Sequence, residues 1–222
     1  MKLGVLFSGG KDSNYSAYLA KKAGNEIVCL ITLISKNPYS YMFQKPSVSQ
    51  TKKQAKVMDL PLIVVKTLGE KEKELTDLKN AIKKAIKKYK IGGIVTGAVR
   101  SEYQASRIQD ICDDLGIKCV NPIWQKNQIG LLKEIVDAGF EVIIVGVGAY
   151  PLDKTWLGRK IDEGYIKEMG MLQEKYKINP SGEGGETESF VLNSPLFSKG
   201  LKVKSFKDSG EGHSWQREIV VE

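Results

Sequence analysis

The chain has 222 residues, 41% hydrophobic and 27% charged, which is enough apolar material for one large α/β domain or two smaller ones and excludes a disordered or collagen-like chain. Lys and Arg total 34 against 26 Asp and Glu, a net charge of +8 that suits an acidic partner but reads first as lysines on solvated faces. Three cysteines without a C-x-x-C pair and one histidine, His213, exclude a cysteine-rich zinc site and leave a His-based metal centre or a Ser-His-Asp triad resting on one residue. Acid–base chemistry therefore falls to carboxylates, Lys or Tyr. No apolar run reaches the roughly 18 residues of a membrane helix. The first apolar run stops at Ser8-Gly9-Gly10 and not at a cleavage site, so the expectation is a cytoplasmic protein with reduced thiols and no membrane attachment.

Lys2–Phe7 predicts a first strand closed by a tight Ser-Gly-Gly turn. The spacing of Tyr15, Tyr18 and Leu19 predicts a helix over Asp12–Ala23, ended by Gly24, and Glu26–Ile34 a buried β-branched strand. A short helix at Thr51–Met58 and a strand at Pro61–Val65 follow. In Glu70–Lys90, Leu75, Leu78, Ile82, Ile86 and Tyr89 recur at helical steps, and Lys79, Lys83, Lys84, Lys87 and Lys88 fill the other face, which reads as solvated. Gly93–Thr96 is a strand, Ser101–Leu115 a helix and Ile117–Val120 a strand. This alternation predicts a mainly parallel sheet covered on both faces. After Asn121-Pro122 the texture changes to a helix at Gln128–Ala138, a strand at Glu141–Gly148, a helix at Gly158–Tyr176, and short strands at Phe190–Leu192, Leu201–Phe206 and Gln216–Val221. The expected division is 1–122, an α/β domain, and 123–222, a smaller α+β lobe.

Ser8-Gly9-Gly10-Lys11-Asp12-Ser13 joins the first strand to the first helix. Its spacing is neither the Walker pattern nor G-x-G-x-x-G, yet the physics is related. Two glycines let backbone approach a polyphosphate, and the free N–H groups and dipole of a helix start favour an anion there. Ser8 and Ser13 offer hydroxyls, and Lys11 a neutralising charge. Asp12 repels phosphate unless a divalent cation lies between them, so Mg²⁺ is implied at Asp12. The turn falls where open parallel sheets bind ligands. As a plain structural feature the same segment is a strand–turn–helix junction with Ser8 or Asp12 as cap.

Gly182-Glu183-Gly184-Gly185-Glu186-Thr187-Glu188-Ser189 packs three carboxylates among three glycines. Such a loop can hold a cation, bind ammonium or accept a proton from a nucleophile, and Glu186 and Glu188 share a face if it is extended. Alone it reads first as a solvated turn, and a nucleotide turn in the same chain tips the reading towards function. Ser101 and Gln104 have capping-box spacing, but the same strand end faces the ligand crevice, so Glu102, Tyr103 and Gln104 are candidates to touch substrate. Tyr39–Gln44, with Tyr41 and Gln44, can form a wall for substrate or base, although such residues more often serve a lid's own packing. Trp156 reads as core and His213 as incidental.

Taken together, Ser8–Ser13, Ser40-Tyr41-Met42-Phe43-Gln44, Tyr103-Gln104, Trp124-Gln125, Leu157–Asp162, Gly182–Glu188 and Pro195-Leu196-Phe197 resemble the diphthine–ammonia ligase family of N-type ATP pyrophosphatases, in the compact, archaeal-type form. Thr187 departs from the family, which usually carries an aromatic residue there. The resemblance implies a Rossmann-like parallel sheet of the adenine nucleotide alpha hydrolase type. It also implies ATP and Mg²⁺, translation elongation factor 2 as protein substrate, and ammonium as nitrogen donor. The implied reaction turns the diphthine carboxylate into an acyl-adenylate and then an amide. The roles implied are Ser8, Gly9, Gly10, Lys11 and Ser13 on phosphates, Asp12 on Mg²⁺, and Lys11, Asp12, Glu183 and Glu186 in catalysis. Glu102, Tyr103, Gln104, Tyr41, Gln44 and Glu188 would shape the substrate pocket. A homo-oligomer is left open. The rival enzyme is a tRNA-modifying pyrophosphatase that adenylates a base, with Cys29, Cys112 or Cys119 as a lone sulfur carrier. A third reading is a nucleotide-binding sensor without chemistry.

Overall fold

The computed structural model describes residues 1–35, 47–68 and 73–222; Tyr41 and Gln44, with the expected Tyr39–Gln44 wall, lie outside them. The N-terminal half runs β1 (Lys2–Leu6), α1 (Lys11–Lys22), β2 (Glu26–Ser35), α2 (Thr51–Val57), β3 (Leu62–Thr67), α3 (Lys73–Tyr89), β4 (Gly93–Val95), α4 (Glu102–Asp114) and β5 (Lys118–Val120). All five strands are parallel in the order β3-β2-β1-β4-β5. The elements match the expected ones in type. α3 shows why its lysines read as a solvated face: Leu78, Ala81, Ile82 and Ala85 are fully buried against Ile31, Leu33, Ile94 and Ile108, whereas Lys83, Lys84, Lys87 and Lys88 stay in water. The buried pair Leu78 and Ile82 alone contributes about 3–6 kcal/mol of transfer free energy.

Chain order in this sheet places the functional crevice. β2 and β3 build outward from one side of β1, and β4 and β5 from the other. The connections therefore part between β1 and β4, and the carboxyl ends of those two strands open a cleft at the switch point.

The second half runs α5 (Gln128–Asp137), β6 (Glu141–Val147), α6 (Glu163–Tyr176), β7 (Thr187–Asn193), β8 (Val203–Glu211) and β9 (Ser214–Val221). Its sheet is antiparallel, β7-β6-β9-β8. α6 begins five residues later than the expected start at Gly158. Gly158 has φ +84°, Ile161 N–H donates to Val142 O at 2.9 Å, and Asp162 Oδ1 caps the helix by accepting from Tyr165 N–H at 2.8 Å. β8 runs past Phe206 to Glu211, because its ladder with β9 supplies the partners that its polar sequence does not advertise. Tyr15 of α1 and Val99 share one apolar cluster with Leu131, Ile135, Ile144, Leu152, Trp156 and Val191, and Phe140 meets the rings of Tyr15 and Tyr18 edge-on at 5.6 and 5.8 Å. The helix that follows the Ser-Gly-Gly turn is thus seated by both halves of the chain. Among the described residues no helix is long and apolar enough to cross a membrane.

Candidate active site

The turn after β1 is built around its glycines. Gly9 lies in the left-handed region at φ +83°, where an L side chain is strained, and a Cβ there would fall 2.6 Å from Gln54 Oε1. Gly10 has ordinary dihedrals and stands at the N-cap of α1, where it has no side chain to cap the helix. The loop closes on itself weakly: Ser8 N–H donates to Ser13 Oγ at 3.3 Å, Gly10 N–H to Ser8 Oγ at 3.4 Å, and Ser13 Oγ to Gly10 O at 3.1 Å. Bonds this long are readily exchanged for those of an anion. From the other side of the cleft the continuation of β4 presses in. A Cβ on Gly97 would lie 2.9 Å from Asp12 C and Ser13 N, so only glycine lets that strand end reach the helix start.

Lys11 is buried, and its ammonium donates to Ser181 O at 2.5 Å and to Asp12 Oδ2 at 2.9 Å. It therefore ties the turn to the start of the acidic loop. Asp12 Oδ1 is buried and has no hydrogen-bond partner among the described residues. Gln128 holds Ser181 in turn, its Oε1 accepting from Ser181 N–H at 3.1 Å and Oγ at 2.7 Å.

The acidic loop uses its carboxylates differently. Glu183 Oε1 accepts from the N–H groups of Arg100 and Ser101, both at 2.8 Å, and so joins the loop to the start of α4. Glu186 closes its own loop: Oε1 accepts from Asn179 N–H at 3.1 Å and Nδ2 at 2.6 Å, and Oε2 from Gly184 N–H at 2.8 Å. Thr187 is buried, and its hydroxyl is hydrogen-bonded to buried Tyr165. Burial pushes the Tyr165 phenol up to about 12, against the opposing pull of that bond and of Arg159.

One cleft gathers most of the expected residues. Ser8, Gly10, Lys11, Asp12, Ser13, Gln104, Glu183 and Glu188 line it, together with Thr96 and Gly97 from the end of β4. An apolar wall of Leu6, Ile31, Leu33 and Ile108 faces them. Gly9 and Glu186 stand behind this surface, and Glu102 and Tyr103 are not among the lining residues; Glu102 is exposed and Tyr103 packs under Arg107 at 5.3 Å. Ser101 Oγ does cap α4, accepting from Gln104 N–H at 3.3 Å. Two further residues shape the turn without a local sequence signal, Ser189 lining the cleft and Gln54 standing behind it. Gln54, fully buried on α2, donates from Nε2 to Gly9 O at 2.9 Å and Val191 O at 2.8 Å. Ser189 on β7 accepts from Lys11 N–H at 3.2 Å. Trp156 is core, and His213 Nδ1 sits 2.7 Å from Leu152 O, away from the cleft. No cysteine lines the cleft; Cys29 and Cys112 are buried, and burial pushes the Cys29 thiol up to about 12.

The family models decide where such a cleft belongs. The diphthamide synthase N-terminal domain matches residues 1–119, and the diphthamide synthase C-terminal domain matches residues 127–219. The chain belongs to the diphthamide synthase family. A bovine relative named diphthine–ammonia ligase is 34% identical over 92% of this chain and 84% of its own length, and a human one of the same name is 33% identical over the same shares. The chain is an enzyme of this family. A solved structure described as a predicted subunit of tRNA methyltransferase from Methanocaldococcus jannaschii overlays on 88% of this chain and 98% of its own, with TM-score 0.45 and 18% identity.

Proposed function

We propose that the chain amidates diphthine on translation elongation factor 2 with ammonium, consuming ATP and releasing AMP and pyrophosphate. The relatives' name, diphthine–ammonia ligase, supports the substrate and the nitrogen donor. The observation that carries the use of ATP is the pairing, in one cleft, of a helix start whose N-cap residue is a glycine, behind a glycine turn, with a second-lobe loop of carboxylates.

The chemistry requires both halves. A carboxylate resists ammonia because its carbon is a poor electrophile and its oxygen a poor leaving group. Attack of the diphthine carboxylate oxygen on the α-phosphorus of ATP forms an O–P bond and breaks the bond to pyrophosphate. Ammonia then attacks the acyl carbon and expels AMP, leaving the amide. Ser8, Gly9, Gly10, Lys11 and Ser13 would hold the phosphates through hydroxyls, backbone N–H groups and the ammonium. The apolar wall of Leu6, Ile31, Leu33 and Ile108 suits a base. Asp12 fits a divalent cation: its buried Oδ1 has no partner, and since no cluster of three or more ligating side chains exists among the described residues, Mg²⁺ would be completed by phosphate oxygens and water. Held by Asp12, such an ion would supply positive charge against the phosphates.

Glu183 and Glu188 face the cleft, and Glu183, whose bonds among the described residues all go to Oε1, would offer Oε2 to ammonium or to its proton. Glu186, set behind that surface, would act by holding the loop that presents Glu183 and Glu188 through its bonds to Asn179 and Gly184. Gln104 reaches the cleft directly, and Glu102 and Tyr103, the two residues before it on α4, would frame the approach of the modified histidine. The test is mass spectrometry of that histidine after incubating diphthine-bearing factor with the chain, ATP and ammonium. Conversion of acid to amide is expected; a diphthine left as the acid, with ATP unspent, would refute the proposal.

A further inference from the structure

The start of α1 is capped from the other lobe. Gly10 has no side chain to offer, and the Lys11 N–H is met instead by the Ser189 hydroxyl, 178 residues later in the chain, at 3.2 Å. The strand that carries that hydroxyl is held against the turn by three backbone carbonyl contacts. Val191 N–H donates to Gly9 O at 3.1 Å, and Gln54 Nε2 binds the carbonyls of both Gly9 and Val191. A Cβ on Gly10 would lie 3.2 Å from Ser189 O and 3.4 Å from Ser189 Oγ, so β7 rests directly on the glycine turn. A hydroxyl has one proton to give and two lone pairs. Ser189 Oγ spends a lone pair on Lys11 N–H, and among the described residues no group accepts its proton, although the residue lines the cleft. An unspent O–H beside a helix N-terminus matches one oxygen of an anion.

We propose that Ser189 is a phosphate-binding residue supplied by the second lobe, donating its hydroxyl proton to a nucleotide phosphate oxygen beside the Lys11 N–H. This rests on the ATP reading of the same cleft. It gives β7 a direct part in nucleotide binding, so that the lobe carrying the acidic loop also grips the triphosphate.

Equilibrium binding of ATP and of adenosine to the full chain, unaltered and as Ser189→Ala, tests it. Loss of a hydrogen bond to a charged group should weaken ATP by about tenfold or more, while adenosine, which has no phosphate, binds as before. Unchanged ATP affinity in Ser189→Ala would overturn the proposal, and so would equal loss of ATP and adenosine, which marks a structural role. Ser189→Thr keeps the hydroxyl and should bind ATP as the unaltered chain does. It decides the matter if the alanine variant fails to fold: a tenfold loss of ATP in the threonine variant with adenosine binding intact overturns the proposal. Failure of the unaltered chain to bind ATP at all would overturn the wider reading together with this one.

Discussion

The two glycines of the turn should respond oppositely to the same added methyl. Gly9→Ala forces an L residue to φ +83°, and its Cβ would come 2.6 Å from the buried Gln54 Oε1 and 3.1 Å from Thr51 Cγ2. The left-handed backbone costs about 1–2 kcal/mol. Displacing Gln54 forfeits its two hydrogen bonds to Gly9 O and Val191 O, each worth about 1 kcal/mol. Together about 3–4 kcal/mol is lost, which for a chain of this size lowers Tm by about 10 °C. Gly10→Ala keeps unstrained dihedrals, and its Cβ comes tighter than ordinary van der Waals contact only to Ser189 O, at 3.2 Å, which a few tenths of an ångström relieve, while Ser189 Oγ and Ser8 Oγ lie at 3.4 and 3.5 Å. Its stability should fall by less than about 1 kcal/mol. Its methyl occupies the cradle, so ATP affinity should fall by about tenfold or more. Denaturant unfolding followed by circular dichroism, beside ATP binding, separates the two. A Gly9→Ala chain as stable as the unaltered one, or a Gly10→Ala chain that binds ATP normally, would refute the division between a backbone-shaping and a ligand-approaching glycine.

Glu183→Gln retains an acceptor for the Arg100 and Ser101 N–H groups, so thermal stability should hold while amide formation falls at least about tenfold for want of a proton acceptor; wild-type turnover in this variant would remove the carboxylate from the chemistry. Asp12→Asn should raise the magnesium concentration needed for half-maximal ATP binding, and a magnesium titration superimposable on that of the unaltered chain would contradict the metal assignment. The Arg217 guanidinium binds Asp208 bidentately at 2.7 and 2.9 Å and holds its carboxyl below the usual carboxylate range. A depressed carboxyl stabilises above its unfolded pKa and loses that stabilisation as pH falls through the folded value. Arg217→Ala should therefore cost about 2 kcal/mol at neutral pH, with the gap from the unaltered chain closing on acidification below the ordinary Asp range; a gap independent of pH would show that the pair is not its source.

Much of the crevice is legible because its signals are local. Ser8-Gly9-Gly10 interrupts an apolar run and opens a helical one, and parallel alternation alone puts that junction at the carboxyl end of the sheet. Glu183 and Glu188 stand out among glycines, and both face the cleft. Gln54 and Ser189 carry no local signal: their roles come from long-range contacts, 45 and 178 residues away in sequence, that only β7 and α2 packing on the turn can create. Glu186 illustrates the converse. Its sequence setting matches that of Glu183, but the loop is tight enough for the Asn179 and Gly184 N–H groups to claim its oxygens. At α6, Leu157 and Ile161 continue the helical spacing that extends the predicted helix back to Gly158, yet Lys160 and Ile161 pair with β6 and the cap is Asp162. Tertiary pairing overrides the local period there.

The central claim is that the turn after β1 presents the α-phosphorus of ATP to the diphthine carboxylate. Oxygen-18 placed in that carboxylate reads it most directly. Attack through the labelled oxygen and expulsion by ammonia must leave one labelled oxygen on the AMP released. Label in AMP, formed only when both ammonium and diphthine-bearing factor are present, is the predicted result. Unlabelled AMP, or label recovered in inorganic phosphate beside ADP, would contradict it.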